Sequence, residues 1–290
     1  MNTTLKVWTG LGVATALMGA GLAGCAGENG ENGADAAQAG EAGAGESGEG
    51  EGGTGEGGEG EGGEGEAGAG DGEGGVAIGE ADSDPVVYLS ALAIVEAHAV
   101  AARDAYRTGK ADVAAEMFAH PVSEVLADMD PVFTKLGAAN FTDEMSTASQ
   151  AALKADNQAA VDEAFAEIMA SIDQAAAKAP ASDLSKGAIS AGVVADQIDR
   201  AIAMYGRETS GDPYGPYLDG YGFYRAAARA FESNGAAIAT YNSGHHADIK
   251  AALDLLGTAY PGVERPATLA AERGKLLGAS SKVQLGLPAA

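Results

Sequence analysis

Between residues 26 and 84 the chain carries 23 glycines and 17 acidic residues, with no lysine, no arginine and no aromatic side chain. Glycine loses more entropy on ordering than any other residue, like charges repel, and almost nothing here is apolar enough to repay folding. A Gly-Glu-Gly-Gly unit recurs irregularly, as at 50–53 and 60–63. Any fold must therefore come from the C-terminal remainder. Residues 85–290 hold all nine tyrosines, all six phenylalanines and sixteen of the seventeen basic residues. A chain of that length can bury a full core. The acidic stretch reads as a disordered spacer, spanning roughly 42 Å as a flexible coil. Its carboxylates would hold divalent cations only weakly, because nothing fixes their geometry.

Ahead of the spacer stand a short segment ending in Lys6, sixteen mostly apolar residues from Val7 to Leu22, and Leu22-Ala23-Gly24-Cys25. A positive start, an apolar core and small residues before a cleavage point make a secretory signal, too short for a span of about 20 residues. The last four residues resemble the bacterial lipobox. That resemblance implies removal of residues 1–24 and acylation of Cys25, with the lipid bilayer as a partner. Ala26 rather than Asp after the cysteine implies the outer membrane. Cys25 is the only cysteine, so disulfides, thiolate metal sites and cysteine nucleophiles are excluded from the domain. The expected division is a signal over 1–24, a lipidated linker over 25–83 and a folded domain over 84–290.

The formal charge of −25 divides into −17 on residues 26–84, +1 on Lys6 and −9 on the remainder. An acidic domain on an acidic spacer has no clustered cations with which to displace counterions from phosphates, which argues against nucleic acid. Electrostatic adhesion to an anionic membrane is disfavoured for the same reason.

From Asp84 onward apolar residues recur at helical spacing. Asp84-Pro85 is a helix start, a capping Asp before a Pro that needs no intrahelical N–H. The first helix should reach about Arg107, where Thr108-Gly109 stops it. A short second helix is expected over 110–119, then a third from His120-Pro121 to Leu136, closed by Gly137. Val161, Phe165, Ile168, Ile172 and Ala175 form one stripe, and Ala191, Val194, Ile198, Ile202 and Tyr205 another. Later helices are expected over 217–233 and 247–256. The fold class is all-α, an antiparallel bundle of about six to eight helices with short loops. The stretch Tyr106 to Pro121 resembles a single tetratricopeptide hairpin, but no second copy occurs at the required period.

Four histidines are candidates for chemistry: His98, His120, His245 and His246. At 100° per residue, Glu96, Arg103, Asp104 and Arg107 share one side of the first helix and His98 lies nearly opposite, facing the core. His98 is eleven residues before Gly109 and His120 eleven after it. If the chain folds back at the glycine, equal rise puts both rings at one height. Glu124 stands at i+4 from His120. Two imidazoles and a carboxylate suit zinc, copper or iron, and a metal site would bring the rings within about 3–5 Å. The alternative is a packed core histidine and a helix-capping one. His245 and His246 come after Asn242-Ser243-Gly244 and read as exposed capping residues.

This combination of export, helicity, histidine and glutamate resembles the imelysin class of periplasmic iron-associated proteins, whose motif is Gly-x-His-x-x-Glu. Here His120-Pro-Val-Ser-Glu124 spaces the pair one residue wider and lacks the glycine, and Ala101 stands three residues after His98. The resemblance implies metal binding at an all-helical domain.

A second feature is the run Ser210 to Tyr224, where Tyr214, Tyr217, Tyr221, Phe223 and Tyr224 are spaced by Gly and Pro. It reads as an irregular loop entering a helix. Its tyrosines are either a partner surface, supplying apolar area with polar tips, or pins that hold a long connection onto the bundle. Nucleophile-elbow, P-loop, His-Glu-x-x-His and dinucleotide signatures are absent, and no carboxylate pair is marked for acid–base work. The expected function is non-enzymatic: a membrane-anchored helical domain that binds a transition-metal ion, or a metal-free interaction domain using the tyrosine loop.

Overall fold

The computed structural model describes residues 78–154, 157–207 and 214–288. The signal segment, Cys25 and the spacer up to residue 77 lie outside the described residues. The last residues assigned to the spacer belong to the folded unit. Ala81 is fully buried, and Asp82 pairs with Lys135.

All regular structure among the described residues is helical, in nine α-helices: α1 (Pro85–Arg107), α2 (Ala111–Pro121), α3 (Ala127–Leu136), α4 (Thr142–Ala152), α5 (Gln158–Ala176), α6 (Lys186–Met204), α7 (Tyr214–Tyr241), α8 (Ser243–Ala259) and α9 (Arg273–Leu285). A π-helical turn, Val122–Leu126, joins α2 to α3 without a break. The expected new start at His120-Pro121 is therefore corrected. Pro121 lies inside one helical run, and its missing N–H is accommodated by widening the next turn to π geometry.

Helix α1 is the centre of the bundle. Asp84 caps it by accepting from the Val86 N–H at 2.7 Å, and it ends before Gly109, whose φ of +85° only glycine adopts freely. It is long and apolar enough to cross a bilayer, with mean hydropathy 1.6, but it is buried by α2, α5, α6 and α7. Helices α5 and α7 both run antiparallel to it. Tyr88 donates to the Ala175 carbonyl while Arg107 pairs with Asp162; on the other side Glu96 pairs with Arg229 and Asp104 accepts from Tyr221. Helix α4 bridges α2 and α5, and α8 and α9 cover α6. No helix was expected over α4 or α9, although Met145, Ala148 and Ala152 of α4 recur at helical spacing and Asn140 accepts from the Thr142 N–H ahead of it.

The helix expected over 217–233 is longer, and the run from Tyr214 to Tyr224, expected as an irregular loop entering it, is wholly helical and forms the first three turns of α7. Pro216 sits within its first turn, where no N–H is required. The glycines that looked like breakers are packing positions. A β-carbon on Gly222 would meet the Ala97 carbonyl oxygen at 2.4 Å, and one on Gly220 would meet the Tyr260 hydroxyl at 2.0 Å.

Candidate metal centre

His98 faces inward from α1 and is 4% exposed. Its Nδ1 donates to the Ile94 carbonyl one turn back, at 2.9 Å. That bond fixes the tautomer, since a carbonyl can only accept, and leaves the Nε2 lone pair directed away from the helix. Burial pushes the imidazole below its ordinary pKa, only partly opposed by the Ile94 carbonyl and the negative charge of Glu124. Burial thus favours the neutral imidazole.

Two further groups converge on it. The ring of His120 crosses that of His98 edge-on, with centroids 6.1 Å apart. Asp219 on α7, itself 5% exposed, places Oδ1 at 3.7 Å from His98 Nε2. One potential ligand atom from each of His98, His120 and Asp219 lies within 4.8 Å of the others. A nitrogen and an oxygen each about 2.0–2.2 Å from one tetrahedral ion would be separated by roughly 3.3–3.6 Å. The His98–Asp219 distance of 3.7 Å lies just above that range, and the three atoms, within 4.8 Å of one another, would have to draw together around an ion. Phe223, one turn after Asp219, lies edge-on to His98 at 5.8 Å and walls the apolar side. His120 is one-third exposed and gives the site its access to solvent; its Nε2 is also 3.6 Å from Glu116 Oε1.

The equal-height expectation for His98 and His120 is met, with the rings in contact. The carboxylate that completes the group is Asp219 rather than Glu124, which stands outside the three and acts on His98 only through its charge. The π turn containing Glu124 begins just after His120-Pro121, and such turns recur at functional sites.

The tyrosines lie elsewhere. Tyr217 is buried and donates to the Gly262 carbonyl at 2.7 Å; Tyr221 is buried and donates to Asp104 at 2.8 Å. Burial pushes both phenols up to about 12. Tyr214 and Tyr224 are half-buried, packed against the core, with Tyr224 stacked on Tyr260 at 6.4 Å. They hold α7 against its neighbours.

His245 is also corrected. It is 2% exposed rather than a surface cap, and Asn242 caps α8 by accepting from its backbone N–H. Among the described residues neither ring nitrogen of His245 has a hydrogen-bond partner. His246 packs on Phe231 at 4.8 Å.

The chain matches no protein-family model, no curated protein and no solved structure.

Proposed function

We propose that the domain binds a transition-metal ion through His98, His120 and Asp219, and that Cys25 holds it to a bacterial membrane by its acyl chains. The observation that carries the metal reading is the approach of Asp219 Oδ1 to His98 Nε2. With Nδ1 committed as donor, the facing atoms are a lone pair and a carboxylate oxygen, two acceptors that a metal cation, a shared proton or a water donating to both would bridge. Two imidazoles and one carboxylate with open positions are the ligand set of zinc and of non-haem iron(II).

Binding and delivery, rather than catalysis, fit the surroundings. The imidazole and carboxylate are buried against Phe223, and the clefts between α1, α5 and α7 are lined by other residues. The lipobox resemblance and Ala26 support an outer-membrane address with the domain carried away from the bilayer on the acidic spacer.

Calorimetric titration of the full chain with zinc tests the metal reading. One ion per chain is expected, with affinity reduced at least about a hundredfold by His98→Ala or His120→Ala, as for the loss of a metal ligand. Binding that ignores both substitutions, or no binding, overturns it. Labelling with a palmitate analogue in a bacterial host tests the anchor, which Cys25→Ser should abolish.

A further inference from the structure

The three groups of the candidate metal centre differ in their access to solvent. His98 and Asp219 are buried, whereas His120 is one-third exposed. Taking an ion out of water onto the buried pair is costly in a single step. A ligand nearer the surface would replace its water by stages, and one stands beside His120. Glu116 precedes it by one turn on α2, on the same face of the helix, with Oε1 at 3.6 Å from His120 Nε2. The Glu116 side chain is 71% exposed. Among the described residues no lysine or arginine pairs with it, so its charge is not already committed.

His120 therefore takes part in two pairings. Inward, one of its ring nitrogens lies within 4.8 Å of ligand atoms of His98 and Asp219, a group to which Glu116 does not belong. Outward, it faces Glu116 at a distance close to the roughly 3.3–3.6 Å that one tetrahedral ion imposes on a nitrogen and an oxygen. The backbone is irregular at this point. Pro121 has no N–H to give the Met117 carbonyl, and the turn that follows is π-helical. His120 thus stands at a break in the regular bonding of the helical run, between a surface carboxylate and a buried ligand pair.

We infer that Glu116 and His120 form an outer metal position, where a divalent transition-metal ion docks before His120 carries it inward to His98 and Asp219, and through which it leaves again. The inference rests on the metal reading of the histidine cluster. A ligand used only in transit lowers the barrier in both directions. Its loss slows uptake and release together and changes their ratio, the dissociation constant, less than either rate. A ligand kept by the bound ion would act mainly on release.

Stopped-flow mixing of the full chain with cobalt(II), followed by visible absorption, measures uptake, and mixing of the loaded chain with excess EDTA measures release. An ionic strength of about 0.15 M screens exposed charges further away than about 8 Å. Glu116→Gln should slow uptake and release by about tenfold each, the lower end of what charge at an entrance contributes. Glu116→Asp, which keeps the charge but draws it back from His120, should slow both as well. Asp112→Asn removes an exposed charge one turn further from His120 and should leave both rates unchanged. Circular dichroism of each variant confirms that it is folded. Unchanged rates in Glu116→Gln, with one-to-one cobalt binding intact in the unmodified chain, overturn the outer position and leave the inner site standing. Faster release from Glu116→Gln with uptake unmoved overturns it in favour of Glu116 as a ligand of the bound ion. Equal slowing by Asp112→Asn overturns it in favour of general attraction by the acidic surface. Lack of any saturable cobalt signal in the unmodified chain overturns the metal reading and this inference with it.

Discussion

Gly222 of α7 lies against the backbone of Ala97 in α1, so close that a β-carbon would stand 2.4 Å from the Ala97 carbonyl oxygen. This contact sets the height of α7 on α1. Asp219 and Phe223 flank Gly222 on the same helix, and both reach His98, one residue from Ala97. Gly222→Ala must push the two helices apart, because the obstructing atom belongs to the backbone. A loss of about 1–3 kcal/mol in stability is expected, as for overpacking. The variant should also lose metal affinity, since Asp219 moves with the helix. Chemical denaturation and zinc titration of the same sample check both halves.

The buried histidines make stability depend on pH with a definite sign. Burial lowers the pKa of His98 and of His245, the latter opposed only by the negative charge of Asp248. A histidine whose folded pKa is depressed is neutral in the fold and takes up its proton on unfolding. Its contribution is therefore complete above the unfolded value of about 6.5 and is lost as the pH falls through the folded value. The metal-free chain should lose stability on acidification below that point. His245→Asn should flatten part of this dependence while leaving zinc binding intact, as urea melts between neutral and mildly acidic pH would show.

Tyr260 stitches three helices together. Its hydroxyl donates to the Ala201 carbonyl of α6 at 2.6 Å and abuts Gly220 of α7, and burial pushes its pKa above the ordinary phenol range. Tyr260→Phe removes the hydrogen bond alone and should cost about 1 kcal/mol. Tyr260→Ala also opens a cavity among Tyr205, Tyr217 and Tyr224 and should cost about 3–5 kcal/mol. Thermal melts of the two variants separate the polar from the packing contribution.

A bound metal should stabilise the fold by mass action. Zinc at about a hundred times its dissociation constant is expected to add roughly 2.7 kcal/mol. His120→Ala, at a partly exposed position, should keep the metal-free stability and lose this increment. A melting temperature equally raised by zinc in that variant would place the ion elsewhere.

Local regularity made much of this legible. Asp84-Pro85, Gly109 and Gly137 mark boundaries because caps and left-handed residues act within one turn, and the wheel position of His98 comes from helix periodicity alone. The common height of His98 and His120 was readable too, since both are counted from one reversal, but their facing one another was not, because the count fixes height and not azimuth. Asp219 was not. It arrives on a helix more than a hundred residues later, in a register set by the contact of Gly222 with Ala97, and no spacing near His98 encodes it. The tyrosine run misled because Gly220 and Gly222 resemble breakers in sequence, whereas in the bundle they admit a phenol and a carbonyl. Pro121 misled similarly, since the π turn absorbs what elsewhere ends a helix.

The identity of the carboxylate ligand is the most direct test of the metal centre. Cobalt(II) titration of the full chain, monitored by visible absorption, compares Asp219→Asn with Glu124→Gln. A one-to-one signal retained in Glu124→Gln and abolished in Asp219→Asn, His98→Ala and His120→Ala is the expected result. A signal that persists in Asp219→Asn, or the lack of any saturable signal in the unmodified chain, contradicts the proposed site.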